Sequence, residues 1–447
     1  MVRSLQSHTD DRPLKQSREL TERASKVIPG ATQTASKGPT QFVQGVSPTH
    51  IQRAQGSHVW DADGSEYIDC VMALGPVLLG HNYPAVTEAV TEQLTDGTMY
   101  TMEHPLHVEV AELLTEVIPC AEMVRFAKNG NDVTTLAAKV ARAHTDRNVI
   151  ATQGYHGWTD VWMGDHPNLN RGVPEAVGKH TERFEYNDIE SLERIFDENP
   201  GDVAAIVTTP VNLDAPEDDF LEQLREIADR EGAVLVFDEI LTGFRFSLGG
   251  AQQYFGVEPD LACFAKGMAN GYPISALVGR SDVMSTISDS DFVYSMTYAG
   301  EALSLAATKA AIEVQQRENV HEHIFEQGSK LVEGYDELAS EYGLEGVTGV
   351  NGFSPRFKMW FRDEDGNADR LAKSLFMQEA HKRGVLFTDG HLPSYSHSDE
   401  DVEIMLSVYR DCMEILADAV KEDAVEDYLE GEPVGATLRE RTGEDRS

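Results

Sequence analysis

Residues 203 to 238 read VAAIVTTPVNLDAPEDDFLEQLREIADREGAVLVFD, and this stretch decides the fold. Residues 203–208 and 233–237 are apolar runs, and the segment between them has the spacing of an amphipathic helix that ends at Gly232. A strand that is apolar at nearly every position is buried on both faces, and two such strands joined by a helix are typical of a parallel sheet. The sequence therefore predicts an α/β domain whose parallel sheet is covered by helices.

The same alternation continues upstream and downstream of this stretch. Residues 148–152 form another apolar run, preceded by Asn131-Asp132 and an apolar stripe of helical spacing from Val133 to Ala141. Ligands of parallel sheets bind beyond the carboxyl ends of the strands. Because Tyr155, Asp238 and Lys266 each follow a strand-like run, we expect the chemistry of the protein there.

Lys266 is the most informative of these three residues. The chain has 13 lysines against 76 acidic residues, and Lys266 stands between Ala265 and Gly267 after an apolar run, a poor place for a solvated charge. A lysine in such surroundings loses its proton readily, and a neutral amine forms a Schiff base with a carbonyl. The alternative interpretation is a surface lysine on a loop.

Composition excludes several classes of protein. A net charge of -39 over 447 residues argues against nucleic-acid binding, which needs a basic surface. Self-repulsion of this size destabilises a fold unless salt screens it, so we expect a salt-rich cytoplasm, as in a halophile. Apolar runs are too short to span a bilayer, and the N-terminus lacks the apolar core of a signal peptide. The four cysteines, far apart among apolar neighbours, predict buried thiols in a reducing compartment and neither disulfides nor a zinc site.

The two ends of the chain differ from its middle. Residues 56–69 alternate apolar and polar side chains around an Asp-Gly turn, which predicts a hairpin, and residues 345–420 mix short strands with helices. We predict an N-terminal segment over 1–60 that contributes to a small domain, a large domain over 61–330, and a C-terminal part of the small domain over 331–421. Residues 422–447 are acidic and poor in apolar side chains, which predicts a disordered tail.

The residues around Lys266 match the needs of pyridoxal 5'-phosphate (PLP). That cofactor needs a lysine for its aldehyde, an anion for its pyridine nitrogen, a helix N-terminus for its phosphate and a flat partner for its ring. Lys266 and Asp238 supply the first two, the turn at Gly130 and Asn131 opens a helix, and Tyr155 offers an aromatic face.

Each of these features also has a simpler interpretation when it is taken alone. Asp238-Glu239 is compatible with a helix cap or a metal carboxylate, although the absence of a nearby histidine cluster in the sequence weighs against a metal. Asn129-Gly130 is typical of an ordinary turn and cap, and Tyr155 is compatible with core packing. It is their common order along the chain that favours the cofactor.

Two longer segments carry a family resemblance. Residues 236–245 (VFDEILTGFR) and 264–273 (FAKGMANGYP) closely resemble the signature segments of class III aminotransferases, and LGHNYP (79–84), RFAKNG (125–130) and GYHG (154–157) occur in the same order as in that family. The similarity covers residues 20–420 and looks closest to the branch that includes glutamate-1-semialdehyde aminomutase. It implies a PLP-dependent fold type I enzyme, with a mostly parallel seven-stranded sheet in the large, PLP-binding domain and a smaller α+β domain built from both termini.

The resemblance also implies the roles of the cofactor-binding residues. Lys266 corresponds to the lysine that forms the imine with PLP, Asp238 to the partner of the pyridine nitrogen and Tyr155 to the stacking ring. The phosphate is expected on Gly130 and Asn131.

Two further residues are assigned by the same resemblance. Asn212 is expected near the ring hydroxyl of PLP. Thr297, in SMTYAG (295–300), resembles the threonine that reaches the phosphate of the neighbouring subunit, which implies a homodimer with its active site at the interface.

The segments expected to contact the substrate depart from the aminomutase. Thr34 and Lys37 stand where that enzyme carries Ser and Arg to hold a substrate carboxylate, and Leu74 stands where it carries Trp. Because lysine cannot offer the two parallel N–H groups of arginine, carboxylate recognition is weakened. His391, in GHLPSYSH (390–397), resembles a residue of relatives that act on amino sugars or surface polysaccharides.

Two cofactor-proximal positions depart as well. Glu301-Ala302 replaces the usual Asn-Pro after the threonine segment, and Thr209-Pro210 replaces a common Glu-Pro pair.

We therefore predict an enzyme with intact cofactor machinery and an altered substrate pocket. The leading hypothesis is an aminotransferase that moves an amino group from an amino donor to a small keto or aldehyde acceptor, such as a keto-sugar. The alternative is glutamate-1-semialdehyde 2,1-aminomutase, an isomerase that makes 5-aminolevulinate, and racemases and decarboxylases share the scaffold. A hypothesis of another class is a non-catalytic, PLP-binding or purely structural homodimer.

Overall fold

The computed structural model describes residues 12 to 436, except Asp165, Pro167, Asp218 and Asp389. The described residues form two compact units, which we call the terminal unit (residues 12–74, Leu79–Tyr83 and 322–436) and the central unit (Gly75–Leu78 and Pro84–His321). The sequence suggested boundaries at residues 61 and 330. The structure moves the strand Glu66–Asp69 into the terminal unit, because it pairs with the hairpin strand before it and with Val385–Leu386.

The strands and helices are numbered in chain order. The strands are β1 (Ile51–Gln55), β2 (His58–Asp61), β3 (Glu66–Asp69), β4 (Met123–Ala127), β5 (Val149–Gln153), β6 (Thr181–Arg183), β7 (Val203–Thr208), β8 (Val234–Asp238), β9 (Leu261–Phe264), β10 (Ser275–Gly279), β11 (Thr348–Phe353), β12 (Arg356–Phe361), β13 (Val385–Leu386) and β14 (Gly390–His391). The helices are α1 (Lys15–Val27), α2 (Pro84–Asp96), α3 (Pro105–Val117), α4 (Gly130–Thr145), α5 (Asp160–Met163), α6 (Glu175–Gly178), α7 (Ile189–Glu198), α8 (Phe220–Glu231), α9 (Ala251–Phe255), α10 (Ser281–Met284), α11 (Ala302–Arg317), α12 (Val320–Glu341), α13 (Arg370–Lys382) and α14 (Asp399–Lys421).

The central unit is built on one seven-stranded sheet of order β4-β10-β9-β8-β7-β5-β6. Strand β10 is antiparallel to both of its neighbours, and the pairs β9-β8, β8-β7, β7-β5 and β5-β6 are all parallel. This confirms the mostly parallel seven-stranded sheet that the sequence predicted.

Helices cover both faces of this sheet, as the apolar strands require. Successive side chains of a strand point to opposite faces. In β8, Val234 and Val236 pack in one cluster with the apolar stripe of α4, whereas Leu235 and Phe237 pack in another with α7 and α8. Full burial of one such side chain stabilises the fold by about 1.5–3 kcal/mol, which explains why β8 tolerates no polar residue before its last position, Asp238.

The terminal unit contains the sheets β1-β2-β3-β13 and β11-β12-β14. The predicted hairpin is present, since β2 and β3 pair antiparallel. The prediction of a disordered tail is wrong for residues 422–436. Val434 is 5% exposed and its N–H donates to Ser374 Oγ at 3.0 Å, and the N–H of Glu430 donates to Gln378 Oε1 at 2.8 Å. Residues 437–447 lie outside the described part of the chain.

Each of the four cysteines is buried with a free thiol, as the sequence predicted. In the part of the chain that the structure describes, none of the helices combines the length and the apolar character that a membrane crossing requires.

Candidate active site

The topology of the central unit brings the predicted site residues to one edge of the sheet. Strands β5, β7, β8 and β9 are adjacent and parallel, so their carboxyl ends lie side by side. Tyr155 follows β5, Asn212 follows β7, Asp238 ends β8 and Lys266 comes two residues after β9. Residues that are up to 111 positions apart in the sequence (155 to 266) therefore meet along one edge.

Asp238 is held by a buried histidine. Its Oδ2 lies 2.6 Å from His156 Nδ1, and its Oδ1 accepts the N–H of Ile240 at 3.0 Å. His156 Nε2 lies 2.8 Å from the carbonyl oxygen of Gln153. Both side chains of the pair are buried, at 1% and 6% exposure.

These contacts fix the orientation of the histidine ring. Its Nδ1 faces the carboxylate of Asp238 and its Nε2 faces the carbonyl oxygen of Gln153, so the ring is held at both nitrogens. A buried carboxylate is stable only when it is paired and hydrogen-bonded, and His156 provides that pairing for Asp238. The result is a fixed carboxylate that suits a protonated pyridine nitrogen.

The N-terminus of α4 forms the candidate phosphate site. The sequence suggested a start near Val133, but the helix begins at Gly130, because Asp132 Oδ2 accepts the N–H and the side-chain Nδ2 of Asn129 at 2.7 and 3.1 Å and caps it. The first N–H groups of a helix have no acceptor within it, and with the helix dipole they favour an anion. Gly130 and Asn131 occupy those positions.

The loop after β5 packs tightly on this helix end. Asn131 Oδ1 accepts the N–H of Thr159 at 3.2 Å, and Thr134 Oγ1 donates to the carbonyl of His156 at 2.6 Å. Gly157 has φ +124°, and a Cβ built on it would lie 1.9 Å from Asn131 Oδ1. Only glycine fits there, and the same loop positions Tyr155, His156 and the phosphate site.

Gly157→Ala is expected to weaken PLP binding at least about tenfold, because the added methyl group must displace Asn131 from the helix end. Gly172→Ala is the matched control. Its φ of +96° strains alanine similarly, but no described atom lies within 4 Å of the added Cβ. Absorbance titration of both apoproteins with PLP gives the two dissociation constants. Equal dissociation constants for the two variants would show that PLP binding does not depend on the close contact between Gly157 and Asn131.

Lys266 begins a short 3-10 turn, Lys266–Ala269, and is half-buried. Its φ is +43°, a left-handed conformation that costs a non-glycine residue about 1–3 kcal/mol and persists only where the surrounding structure imposes it. Such strained residues cluster at active sites. The neighbouring Ala265 and Gly267 are buried, so the Lys266 side chain is attached to a buried, apolar segment.

The remaining cofactor candidates lie in the same unit. Tyr155 is 41% exposed, which leaves its ring accessible, Asn212 is half-buried beyond β7, and Thr297 is exposed. Thr209, which replaces the common Glu, packs its hydroxyl 3.0 Å from the position of a Cβ on Gly154, so its side chain lies over the first residue of the Tyr155 loop.

Glu239, next to Asp238, has a structural role. It is completely buried and accepts the N–H groups of Ala251 and Gln252 at 2.9 and 2.8 Å, together with the hydroxyl of Thr242 at 2.5 Å. Burial raises the pKa of Glu239, and these hydrogen bonds act against the rise. The helix-cap interpretation of Asp238-Glu239 therefore applies to the second residue, since Glu239 accepts the first two N–H groups of α9, which begins at Ala251.

The four substrate candidates lie in the terminal unit. Thr34 and Lys37 are exposed, and Leu74 is half-buried with φ +75°. His391 differs from the other three. This residue is 1% exposed, its Nε2 lies 2.5 Å from the hydroxyl of Tyr409, and its ring stacks on Phe357, so it packs in the core of the unit.

Sequence reasoning missed His156 as a site residue. The available signal was its place in GYHG immediately after a buried strand, on the sheet edge that also carries Asp238. Three features together fit PLP. The strained lysine suits its aldehyde, the fixed carboxylate suits its pyridine nitrogen, and the capped helix end with its obligatory glycine suits its phosphate.

Comparisons with known proteins agree with this geometry. A family model for aminotransferase class-III matches residues 42–413. The 3-aminobutyryl-CoA aminotransferase of Cloacimonas acidaminovorans is 33% identical, over 90% of this chain and 97% of the relative. The glutamate-1-semialdehyde 2,1-aminomutase of Halorubrum lacusprofundi is 32% identical, over 89% of this chain and 99% of the relative. The Sphingopyxis FumI protein, solved in its PLP internal aldimine form, superposes with a TM-score of 0.85 at 28% identity, over 91% and 98%. The chain therefore belongs to the class III aminotransferases, PLP-dependent enzymes of fold type I.

Proposed function

We propose that this enzyme transfers an amino group between two substrates, from an amino donor to a small keto or aldehyde acceptor such as a keto-sugar. The observation that carries the proposal is Lys37, which stands where the aminomutase is expected to carry the arginine that binds its substrate carboxylate. A lysine offers a point charge in place of two parallel N–H groups, so a carboxylate is held with less geometric precision. Leu74 likewise stands where the aminomutase is expected to carry Trp.

The geometry of the central unit supports the cofactor-binding roles that we propose for its residues. PLP supplies an electron-withdrawing ring that stabilises the negative charge left when the α-carbon of the donor loses its proton. Lys266 Nζ would hold the cofactor, and its released amine would take the proton from the donor α-carbon and pass it to the carbon that had carried the aldehyde. Asp238, fixed by His156, would keep a proton on the pyridine nitrogen, and Tyr155 would exclude water from one face of the ring. Gly130 and Asn131 would bind the phosphate, and Asn212 would serve the ring hydroxyl.

A homodimer is part of the proposal. Thr297 lies in an exposed segment whose apolar side chains Val293 and Tyr298 are 72% and 63% exposed. Apolar groups exposed together mark protein contact sites, and Thr297 would there reach the phosphate of the partner subunit. Light scattering in concentrated salt measures the mass, and a monomer that turns over would contradict this part.

The proposed compartment is a reducing, salt-rich cytoplasm. Four buried free thiols support the first property, and a net charge of -39 supports the second, because counter-ions screen the repulsion between carboxylates.

A donor–acceptor screen in concentrated salt tests the transfer reaction. We expect amine donors to change the absorbance of bound PLP, and free keto product to accumulate over many turnovers only when a carbonyl acceptor is also present. Glutamate-1-semialdehyde offered alone should give little 5-aminolevulinate. Rapid formation of 5-aminolevulinate without an external donor would contradict the proposal.

The second candidate function is the aminomutase itself. It is favoured by relatives of that name, including one from Acetivibrio thermocellus that is 38% identical over 75% of this chain and 81% of the relative. The semialdehyde arm of the screen separates the two candidates. A protein whose PLP absorbance no amine donor changes would instead be the non-catalytic binder.

A further inference from the structure

Lys128 lies where three segments of the central unit meet. Its Nζ is 2.8 Å from the carbonyl oxygen of Pro273, 2.9 Å from Glu301 Oε1 and 3.4 Å from Ser304 Oγ. The three ammonium protons of a lysine therefore have three acceptors here. Lys128 itself is the first of the two residues that connect β4 to α4.

Each of these segments carries a residue of the proposed site. Pro273 closes the segment that begins at Lys266, Glu301 follows the segment that contains Thr297, and Lys128 is two residues before Gly130. One further bond reinforces the arrangement, since Ser275 Oγ donates to the carbonyl oxygen of Asn129 at 2.8 Å.

Glu301 is fixed as firmly as its partner. It is the N-cap of α11, where it accepts the N–H groups of Leu303 and Ser304 at 2.9 and 3.0 Å and also the Ser304 hydroxyl. Burial alone would raise the pKa of Glu301, but the hydrogen bonds from Ser304 and Lys128 outweigh it and hold the pKa below its usual value.

The Lys128–Glu301 pair is largely shielded from solvent, and its hydrogen bonds restrict the conformations of both side chains. The Lys128 and Glu301 side chains are 18% and 14% exposed, so salt screens their attraction less than that of a surface pair. Removal of one partner of a buried pair leaves the other charge without compensation, which displaces the segment that carries it.

We infer that Lys128 and Glu301 are positioning residues of the active site. Their ion pair holds the Lys266 segment and the Thr297 segment against the phosphate-binding end of α4. In this inference the pair acts through these segments and not on a reacting atom. The inference rests on the proposed roles of Lys266, Thr297 and Gly130, and it explains why an acidic residue replaces the usual Asn after the Thr297 segment.

Lys128→Met tests the inference, with Lys309→Met as its matched control. Lys309 also lies on the central unit, in α11, and forms a pair with Glu109 at 2.7 Å, but the two side chains are 39% and 45% exposed, against 18% and 14% for Lys128 and Glu301. For Lys128→Met we expect the PLP dissociation constant to rise about tenfold and kcat to fall, because the displaced segments no longer meet the cofactor in register. For Lys309→Met both values should stay within about twofold. Lys128→Arg, which keeps the charge, should recover most of the affinity.

Glu301→Gln keeps the test decisive if Lys128→Met does not fold. Glutamine retains an oxygen that can cap α11 but removes the charge, so PLP affinity should fall while the apoprotein remains folded. If both variants bind PLP as tightly as wild type, even with a lowered unfolding temperature of the apoprotein, the pair is purely structural and the inference is overturned. A wild-type protein that does not bind PLP would instead overturn the proposed function.

Discussion

Lys266→Ala is expected to lower kcat at least about 10,000-fold, because the change removes both the amine that holds the cofactor and the base that moves the α-proton of the donor. The backbone conformation at Lys266 supports an effect that is specific to this residue. Its φ of +43° shows a strained conformation fixed by the surrounding segment, on the sheet edge that also carries Asp238. Alanine at this position has the same backbone strain as lysine. We therefore expect the variant to remain folded and to lose its catalytic activity.

The measurement is the absorbance change of bound PLP when an amine donor is added, followed by steady-state turnover with an acceptor. Lys179→Ala is the control, since its side chain is 65% exposed and its pair with Glu175 is a solvated contact within one helical turn. Wild type and this control should react alike. If Lys266→Ala reacts at their rate, another group does the chemistry.

Asp238→Asn is expected to lower kcat by roughly 100- to 1,000-fold, the usual effect of removing one preorganised charge from a buried site. The amide preserves the shape of the side chain and its bond from Ile240, but it no longer carries the negative charge of the carboxylate that lies 2.6 Å from His156 Nδ1. The pyridine nitrogen of PLP then loses its ionic partner. Binding of PLP should weaken in parallel.

Asp260→Asn is the matched control for this change. Asp260 is also a buried carboxylate of the same sheet, but it precedes β9 and pairs with Arg225 and Arg280 at 3.0 and 2.7 Å. Its substitution should reduce the free energy of unfolding and leave kcat of the folded, PLP-loaded enzyme nearly unchanged. Equal losses of kcat in the two variants would show that Asp238 acts through stability alone.

The strongest periodic patterns gave accurate elements. Strand β7 has the predicted limits, β8 lies within one residue of its predicted limits, and α8 ends directly before the predicted stop at Gly232, since continuous apolar runs and a Gly stop leave few alternatives. The start of α4 was missed by three residues, because Gly130 and Asn131 resemble a turn until Asp132 is seen to cap Asn129.

Other features depend on contacts that no local pattern records. The part of the tail up to residue 436 is ordered because its backbone bonds to α13, although its composition favours disorder. The role assigned to His156 depends on its contact with Asp238, 82 residues away, and the role assigned to Lys128 depends on its contact with Glu301, 173 residues away. Conversely, His391 lies in a suggestive motif, but the packing of Tyr409 and Phe357 places it in a core.

The central claim is that PLP is held at Lys266, on the sheet edge formed by the ends of β5, β7, β8 and β9. Borohydride reduction of the PLP-loaded protein in concentrated salt, followed by peptide mass spectrometry, tests it most directly. The expected result is a phosphopyridoxyl group on the peptide that contains Lys266, present in wild type and absent after Lys266→Ala. A stable label on any other of the 13 lysines, or none in a protein that retains PLP, would contradict the claim.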